Sequence, residues 1–356
     1  MRQPDPVQPT VPAIKETAIQ GSQAAWERAL AAGRAEGTVS VVTHPSLQWR
    51  GWVPIFQQRF PEIKVEHLGM RPSEVTPRII SEQRNGLFNF DVMVGPTSNS
   101  VKNLSPAGVF QDLRPFMLSP EAVDNAKWHG GLEMWADKDA TYSLVTAMTV
   151  TRATIVNRRM IPRGELTTID GLLDPKYKGR IVIYDPRETN NGSLQLASVL
   201  QNRSEDFLRQ VLQDAVFVDS PSQLVDFVVS GRYPIGIGSD PERLEKLQAE
   251  GLAQDVEVTT LSAHAAASGI AVFQNAPHPN AAAILVNWFL SQEGQEAYAR
   301  EGETATRRTD ASSYIGDSQS YGTPEWGNLD QYVRANEWQG IPLVDRVSEI
   351  AKEIRR

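Results

Sequence analysis

The chain has 356 residues, and 40% of them are hydrophobic. A chain of this length is longer than a single hydrophobic core usually accommodates, so two lobes are expected. It contains 35 basic and 43 acidic residues, a net charge of −8, and no cysteine. We therefore expect no nucleic-acid partner, no disulfide, no metal–thiolate site and no thiol catalysis. The longest apolar stretch, residues 281–290, is shorter than the ~20 residues of a spanning helix, so no membrane insertion is expected.

The chain opens with a proline-rich stretch, residues 1–21, that is typical of a tether ahead of a folded domain. This stretch lacks the apolar core of a secretion signal. Two interpretations are open: an initiator methionine has replaced an export signal, or the native chain starts in the cytosol. We favour the first, which predicts a periplasmic protein.

Helices and strands alternate along the first part of the chain. Ser22 is a predicted cap and Gly37 a predicted stop for an amphipathic helix between them. The predicted elements are helix 23–37, strand 38–43, helix 49–60, strand 64–68, helix 72–84 and strand 90–94. Such alternation is typical of a mainly parallel sheet with helices on its faces.

A second α/β series follows a predicted domain crossing. The long β-branched run 142–156 favours extended segments that pass from one lobe to the other. The later predictions are strand 181–184, helix 193–201, strand 215–218, helix 222–230, strand 234–238, strands 256–261 and 268–273, helix 279–300 and helix 344–356. The fold class is therefore α/β, with two lobes, each a mainly parallel sheet flanked by helices, and a ligand cleft between them.

These predictions divide the chain into five segments. They are a tether at 1–21, lobe 1 at 22–147 and 263–309, lobe 2 at 148–262, and a C-terminal segment at 310–356 that packs mainly on lobe 2.

Five segments spread along the chain carry a family resemblance. They are WERALAAGRAEGTVSV at 26–41, FDVMVG at 90–95, LLDPKYKGRIVIYD at 172–185, QLVDFVVSGRYPIGIG at 223–238 and GIAVFQNAPHPNAAAILVNWFLSQEGQ at 269–295. In this order they resemble the type II periplasmic solute-binding proteins of ABC importers, in the ferric-iron-binding-like branch. The resemblance covers roughly residues 23–308. It implies the two-lobed periplasmic binding fold, hinge closure on a small-molecule ligand and delivery to a membrane permease.

In an open α/β sheet, ligands bind beyond the carboxyl ends of the strands. In lobe 1 this rule selects His44, Ser46, Trp49, Thr97 and Ser98. Their hydroxyl, imidazole and indole groups suit hydrogen bonding or stacking. The alternatives are that the hydroxyl residues cap helices, that the histidine lies on the surface and that the tryptophan belongs to the core.

The loop after strand 181–184 supplies most of the lobe 2 candidates. They are Arg187, Thr189, Asn190, Asn191 and Ser193. The guanidinium of Arg187 suits a carboxylate or phosphate, and the helix N-terminus that follows favours an anion. A small carboxylate, phosphate or phosphonate is therefore the predicted ligand. The alternative is that Asn190 and Ser193 only cap the helix and Arg187 pairs with Asp185 or Glu188.

The remaining candidates are Thr149, in the crossing strand, and Ser239 and Asp240, after strand 234–238. Thr149 either contacts the ligand or only joins the sheet, and Asp240 either accepts from the ligand or caps a helix. Ferric members of the family bind iron through two adjacent tyrosines, and this chain has no Tyr-Tyr pair. Direct iron(III) binding is disfavoured, while a metal inside an organic chelate stays open. No metal site and no cofactor are predicted.

Two other functions are alternatives to import. A hydrolase is disfavoured because the sequence lacks the serine-elbow, zinc-protease, phosphate-loop and dinucleotide motifs, so no catalytic residue is predicted. A sensor that presents its ligand to a membrane receptor kinase uses the same fold, and the sequence does not separate it from an importer subunit. We expect a monomer that is not an enzyme.

Overall fold

The computed structural model describes residues 21–45 and 50–355, in which two β-sheets are flanked by helices. The described strands are β1 Thr38–Thr43, β2 Lys64–Gly69, β3 Val92–Pro96, β4 Leu144–Thr151, β5 Thr154–Asn157, β6 Ile181–Tyr184, β7 Val216–Val218, β8 Ile235–Ile237, β9 Val256–Val258, β10 His264–Val272, β11 Ala305–Thr306, β12 Tyr321–Gly322 and β13 Val333–Arg334. This arrangement confirms the predicted two-lobed α/β fold.

The helices pack on the faces of these sheets. The described α-helices are α1 Gln23–Glu36, α2 Val53–Arg59, α3 Pro72–Arg84, α4 Thr97–Asn99, α5 Asn191–Asn202, α6 Glu205–Asp214, α7 Pro221–Val229, α8 Pro241–Ala249, α9 Pro279–Leu290, α10 Gln292–Gly302 and α11 Ile341–Ile354. A π-helical turn, Ser100–Leu104, extends α4.

Lobe 1 is built on the larger sheet, whose main path has the strand order β11-β4-β10-β3-β1-β2. Strand β1 pairs in parallel with β2 and β3, whereas β10 is antiparallel to both β3 and β4. Strands β3 and β4 therefore point the same way and end at the same edge. Lobe 2 is built on the smaller sheet, in the order β7-β6-β8-β5-β9, with β6 parallel to β7 and β8.

Within the run 142–156, β4 belongs to the larger sheet and β5 to the smaller one. Only Arg152 and Ala153 separate the two strands. The return crossing lies between β9 and β10. The C-terminal segment contacts both lobes: β12 and β13 pair with β4 and β10, and α11 packs against α5 and α6.

Local chemistry explains most helix ends. The Ser22 side chain accepts a hydrogen bond from the backbone N–H of Ala25, and Gly37 ends α1 with φ of 69°. The single helix predicted over residues 279–300 is wrong, because the chain forms α9 and α10 there. Ser291 separates them: its backbone is extended, at φ −72° and ψ 167°, and its side chain caps α10. The prediction also missed α6, which Ser204 caps.

The core of lobe 1 contains an aromatic cluster that joins α2 to α9. Trp52 lies 6.0 Å from Trp288 and 5.6 Å from Phe289, measured between ring centroids, and Phe56 lies 5.2 Å from Trp288. Trp52 and Phe56 have no exposed surface. Aromatic pairs of this kind stabilise the fold by more than the burial of their apolar area alone.

Three backbone segments meet closely where lobe 2 joins the crossing. The N–H groups of Gly238 and Ser239 donate to the carbonyl of Ala153 at 2.8 and 2.9 Å. Gly238 has φ of 89°, and a Cβ at this position would lie 2.6 Å from the backbone nitrogen of Gly192. A side chain at residue 238 would therefore force the end of β8 away from the start of α5.

We predict that Gly238→Ala destabilises the protein more than Gly251→Ala does. Gly251 has a similar φ of 78° but open space around its missing side chain. Both substitutions strain the backbone, and only the first adds a clash, so its loss of unfolding free energy should be about 1–3 kcal/mol larger. Urea denaturation of both variants measures this difference. Equal losses would contradict the close approach.

A buried carboxylate lies in the C-terminal segment. Glu337 has no exposed surface, and within the described chain its two carboxylate oxygens accept no hydrogen bond. Arg334 Nη1 lies 3.2 Å from Glu337 Oε2, and Arg307 adds a second positive charge nearby. Burial raises the pKa of Glu337 from 4.5 to about 7, and the two arginines oppose that rise.

We predict that Glu337 makes stability depend on pH. Because its folded pKa lies above its unfolded value, the contribution is fully present below pH 4.5 and is lost as the pH rises through about 7. Glu337→Gln, which stays neutral, should flatten the unfolding free energy between pH 5 and 8, measured by urea denaturation. Glu349→Gln, at a largely exposed position, is the control and should keep the wild-type slope. An unchanged slope in Glu337→Gln would refute the prediction.

Candidate functional site

The carboxyl edge of the lobe 1 sheet holds several sequence candidates. Thr97 is buried, and its hydroxyl lies 2.7 Å from the carbonyl of Asn336 and 3.3 Å from that of Ala267, to which it donates. The hydroxyl proton of Thr97 is therefore donated to a backbone carbonyl of the protein itself. Ser98, the next residue, is partly exposed and lines the cavity between the lobes.

Positive charge collects at the ends of β1 and β2. Burial lowers the pKa of His44, and the charge of Arg71 lowers it further; burial and Arg50 act in the same way on His67. Within the described residues neither arginine forms an ion pair, and both are exposed. Thr43 Oγ1 lies 2.7 Å from His67 Nε2. Among the described residues, this end of lobe 1 therefore presents two guanidinium groups without an ion-pair partner.

Two lobe 1 candidates, Ser46 and Trp49, lie outside the described residues. The hypothesis that they contact a ligand stays a prediction.

The loop after β6 is held together by its own side chains. Asp185 pairs with Arg187, whose Nε lies 3.0 Å from both carboxylate oxygens. The Asn190 side chain accepts from the N–H groups of Gly192 and Ser193 and donates to the carbonyl of Asp185 at 2.6 Å. Ser193 Oγ in turn accepts from the Asn190 N–H at 3.0 Å. This is a capping box, so these groups shape the loop and the start of α5.

The remaining loop candidates are placed differently. Thr189 is exposed and lines the cavity between the lobes, while Arg187 lines a separate one with Phe217 and Arg355. The Asn191 amide donates to the carbonyl of Ser239 at 3.3 Å. The loop thus directs neighbouring residues toward two different cavities.

Ser239 is a ligand-binding candidate from the sequence whose side chain is buried. It has no exposed surface, and in the described chain its hydroxyl has no hydrogen-bond partner. A buried polar atom of this kind costs free energy unless something satisfies it. Asp240 caps α8 by accepting from the Arg243 N–H at 3.1 Å, and its other oxygen accepts from Ser222 at 2.6 Å.

Thr149 is occupied as well. Its hydroxyl lies 2.8 Å from that of Thr304, and the residue pairs with Ala266 in the ladder between β4 and β10. The structure therefore gives Thr149 a role in joining the sheet.

A cavity of about 540 Å³ lies between the lobes and the C-terminal segment. Its lining comes from lobe 1, lobe 2 and the segment around α11: Pro72, Ser98, Asn99, Lys102, Asn103, Thr189, Leu194, Ala335, Asn336, Ile341, Val344 and Asp345. Lys102 Nζ lies 2.6 Å from Asp345 Oδ1 and so connects lobe 1 to α11. The volume suits a small organic molecule.

Sequence reasoning missed the contribution of the C-terminal segment to this cavity. Asn336 and Asp345 are distant in sequence from the loops that the strand-end rule selects, and no motif surrounds them. Asn103 and Lys102 follow the predicted loop closely, so a wider window after β3 would have included them.

Neither a metal cluster nor a membrane span occurs in the part of the chain that the structure describes. No group of three or more histidine, aspartate or glutamate side chains is placed to hold a metal ion there. No described helix is long and apolar enough to span a membrane.

Solved structures share this architecture. A Trichodesmium FutA in complex with iron and citrate superposes with a TM-score of 0.63 at 19% identity, covering 87% of this chain and 99% of that one. A Bordetella ferric binding protein gives a TM-score of 0.66 at 16% identity, with coverage of 89% and 99%. Iron-bound HitA from Pseudomonas aeruginosa gives 0.61 at 15% identity, with the same coverage. At these identities the likeness shows the shared fold.

Sequence comparison supplies the family. None of the curated proteins matches the chain. The family model described as bacterial extracellular solute-binding protein matches residues 52–321, which is most of the chain. The chain therefore belongs to the bacterial extracellular solute-binding proteins and is a solute-binding component of an ABC-type importer.

Proposed function

We propose that this subunit captures a small organic anion, of the polycarboxylate class, in the cavity between its lobes. The main support is the pair of guanidinium groups at the ends of β1 and β2, Arg50 and Arg71, which have no ion-pair partner in the described chain. Arg71 directly precedes Pro72, which lines the cavity. A carboxylate between the lobes would supply the missing counter-charge.

The guanidinium group favours this class of ligand for a geometric reason. Its planar fork offers parallel N–H donors that match the two oxygens of a carboxylate, and it stays charged across the physiological pH range. The depressed pKa values of His44 and His67 mean that these imidazoles are mainly neutral at pH 7. The positive charge at the ends of β1 and β2 then comes from the two arginines and not from the imidazoles.

Lobe 2 contributes hydrogen-bond donors. The unpartnered hydroxyl of Ser239 lies next to the start of α5, where Asn191 contacts its carbonyl. Exposed Thr189 adds a hydroxyl at the cavity. The Asp185–Arg187 pair and the capping box hold this loop in position. The ligand is then contacted by the residues next to them, Thr189 and Ser239.

Direct binding of bare iron(III) has no support in the sequence or in the described structure. The chain has no adjacent tyrosines, and Asp240 is engaged by Ser222 and Arg243. One structural neighbour holds iron together with citrate. A polycarboxylate, free or complexed with iron, fits the cationic end of lobe 1 better than the metal ion alone.

Capture would proceed by hinge closure about the two crossing segments. Ligand binding drives closure to the extent that contacts are better in the closed state. For this motion we propose the division into lobe 1 at 22–147 and 263–309 and lobe 2 at 148–262. The loaded monomer would then deliver its ligand from the periplasm to a membrane permease.

We predict that organic polycarboxylates raise the melting temperature more than sugars, polyamines or free iron(III). Ligand binding to the folded state raises stability by RT ln(1 + [L]/Kd). Thermal-shift measurements with citrate, ferric citrate, malonate, phosphate, glucose and spermidine test this. Stabilisation by the sugar or the polyamine alone would refute the anion proposal.

We predict that Arg71→Gln weakens polycarboxylate binding at least about tenfold, because a charged hydrogen bond contributes about 1.5–3 kcal/mol. Isothermal titration calorimetry measures the change. Arg84→Gln, on the last turn of the same helix α3, is the matched control and should bind as the wild type does. Arg187→Gln should have a smaller effect than Arg71→Gln, since Asp185 already pairs with Arg187. If Arg187→Gln abolishes binding and Arg71→Gln does not, the anion lies on lobe 2 instead.

A further inference from the structure

A second cavity, of about 460 Å³, lies at the crossing between the lobes and shares no lining residue with the first. Lobe 2 lines one side of it, the two crossing segments line another, and the C-terminal segment closes it. The lining residues are Arg152, Thr167, Thr168, Ile169, Ser198, Val199, Asn202, Arg203, Thr260, Leu261, Ser262, Ala263, Glu325, Gln331 and Tyr332. Most of these side chains are polar.

Arg152 lines this cavity and has no ion-pair partner in the described chain. It lies between β4 and β5, is only partly exposed, and its backbone N–H donates to Ser320 at 2.7 Å. Its guanidinium lies over the backbone of Gly322, where a Cβ would meet Nη1 at 2.8 Å. Among the residues that the structure describes, no carboxylate pairs with it and no acceptor takes its hydrogen bonds. Within the described chain the Arg152 guanidinium thus has no carboxylate in contact, although the carboxylate of Glu325 lines the same cavity.

Of the other charged lining residues, Arg203 has a carboxylate as its counter-charge and Glu325 has a neutral amide as its partner. Arg203 is bound through two nitrogens to Asp170, at 2.6 and 2.8 Å. The exposed carboxylate of Glu325 accepts from the Gln331 amide at 2.9 Å.

Hydroxyl groups complete the lining. Thr167, Thr168 and Thr260 are exposed, and their hydroxyls make no hydrogen bond within the described chain. Tyr332 also lines this cavity. One guanidinium with several free hydroxyl donors is the chemistry that recognises a carboxylate.

We propose that this cavity is a second binding site, for a small dicarboxylate, and that its occupancy changes the orientation of the lobes. The site goes beyond the proposed capture function, although its effect on the hinge matters for capture. Its wall includes Thr168 of lobe 2 and Tyr332, which directly precedes β13 of the segment that pairs with lobe 1. A ligand that contacts both sides stabilises the lobe orientation that brings them together.

Helix α5 connects the two cavities. Its N-terminal turn carries the candidate ligand loop, and Ser198 and Asn202 near its other end line the second cavity. Between them Gln195 is fully buried, accepts from Ser262 at 2.7 Å and donates to the carbonyl of Thr151 at 3.0 Å. A shift of α5 would therefore affect both cavities and the crossing strand together.

Titration with malonate tests the second site. We expect Arg152→Gln to remove one malonate-binding event, or to weaken it at least about tenfold, in isothermal titration calorimetry. Arg84→Gln is the matched control. The event should persist in an Arg50→Gln/Arg71→Gln double variant, which separates this site from the candidate capture cavity. Unchanged malonate binding in Arg152→Gln would overturn the proposal.

Two further measurements keep the proposal testable if Arg152→Gln does not fold. Thr168→Val removes only an exposed hydroxyl and should weaken the same event about threefold or more. A crystal structure with malonate should place the molecule against Arg152; its absence there would overturn the site. Small-angle scattering should show a malonate-dependent radius of gyration, and an unchanged radius would overturn the effect on lobe orientation.

Discussion

The antiparallel pairing of β4 with β10 determines where the lobes meet. The two strands pair from Leu144 with Ile270 to Thr151 with His264, and both continue into lobe 2 beyond this last pair. Because β4 points the same way as β3, lobe 2 is attached at the carboxyl edge of the lobe 1 sheet. The ends of β1 and β3 therefore face the second lobe. The location of the cavity follows from strand direction more than from any single side chain.

The junction itself is stabilised by buried polar contacts. Gln195 contacts both crossing strands, through the Thr151 carbonyl and through His264 Nδ1 at 3.0 Å. Complete burial lowers the pKa of His264 to about 4, so the imidazole is neutral and its Nδ1 can accept a hydrogen bond from the Gln195 amide. Such a network favours one geometry at the crossing, since any displacement leaves buried groups without partners.

Many polar side chains near the cavity already have hydrogen-bond or ion-pair partners within the protein. The proposed ligand chemistry therefore rests on the polar groups that lack such partners. Asn190, Ser193 and Asp240 cap helices, and Arg187 pairs with Asp185. In the described chain, groups without such partners include the Ser239 hydroxyl, the arginines at the ends of β1 and β2, and Arg152 at the crossing. The shared fold with ferric binding proteins does not settle the ligand, because a fold positions loops while the side chains on them set the chemistry.

The sequence by itself determined the elements and the family. Strand and helix periodicity, the caps at Ser22 and Gly37, and five short segments were sufficient for the two-lobed α/β fold, since these signals depend on local backbone preferences. They failed at Ser291, where a cap inside an apolar run separates two helices. Only the tertiary structure decided which polar groups remain free. Arg152 and Arg187 are both arginines at strand ends, yet Arg187 pairs with Asp185, two residues away, while Arg152 has no carboxylate in contact within the described chain. The first contact is local and the sequence offered it as an alternative, whereas the surroundings of Arg152 depend on how distant segments pack.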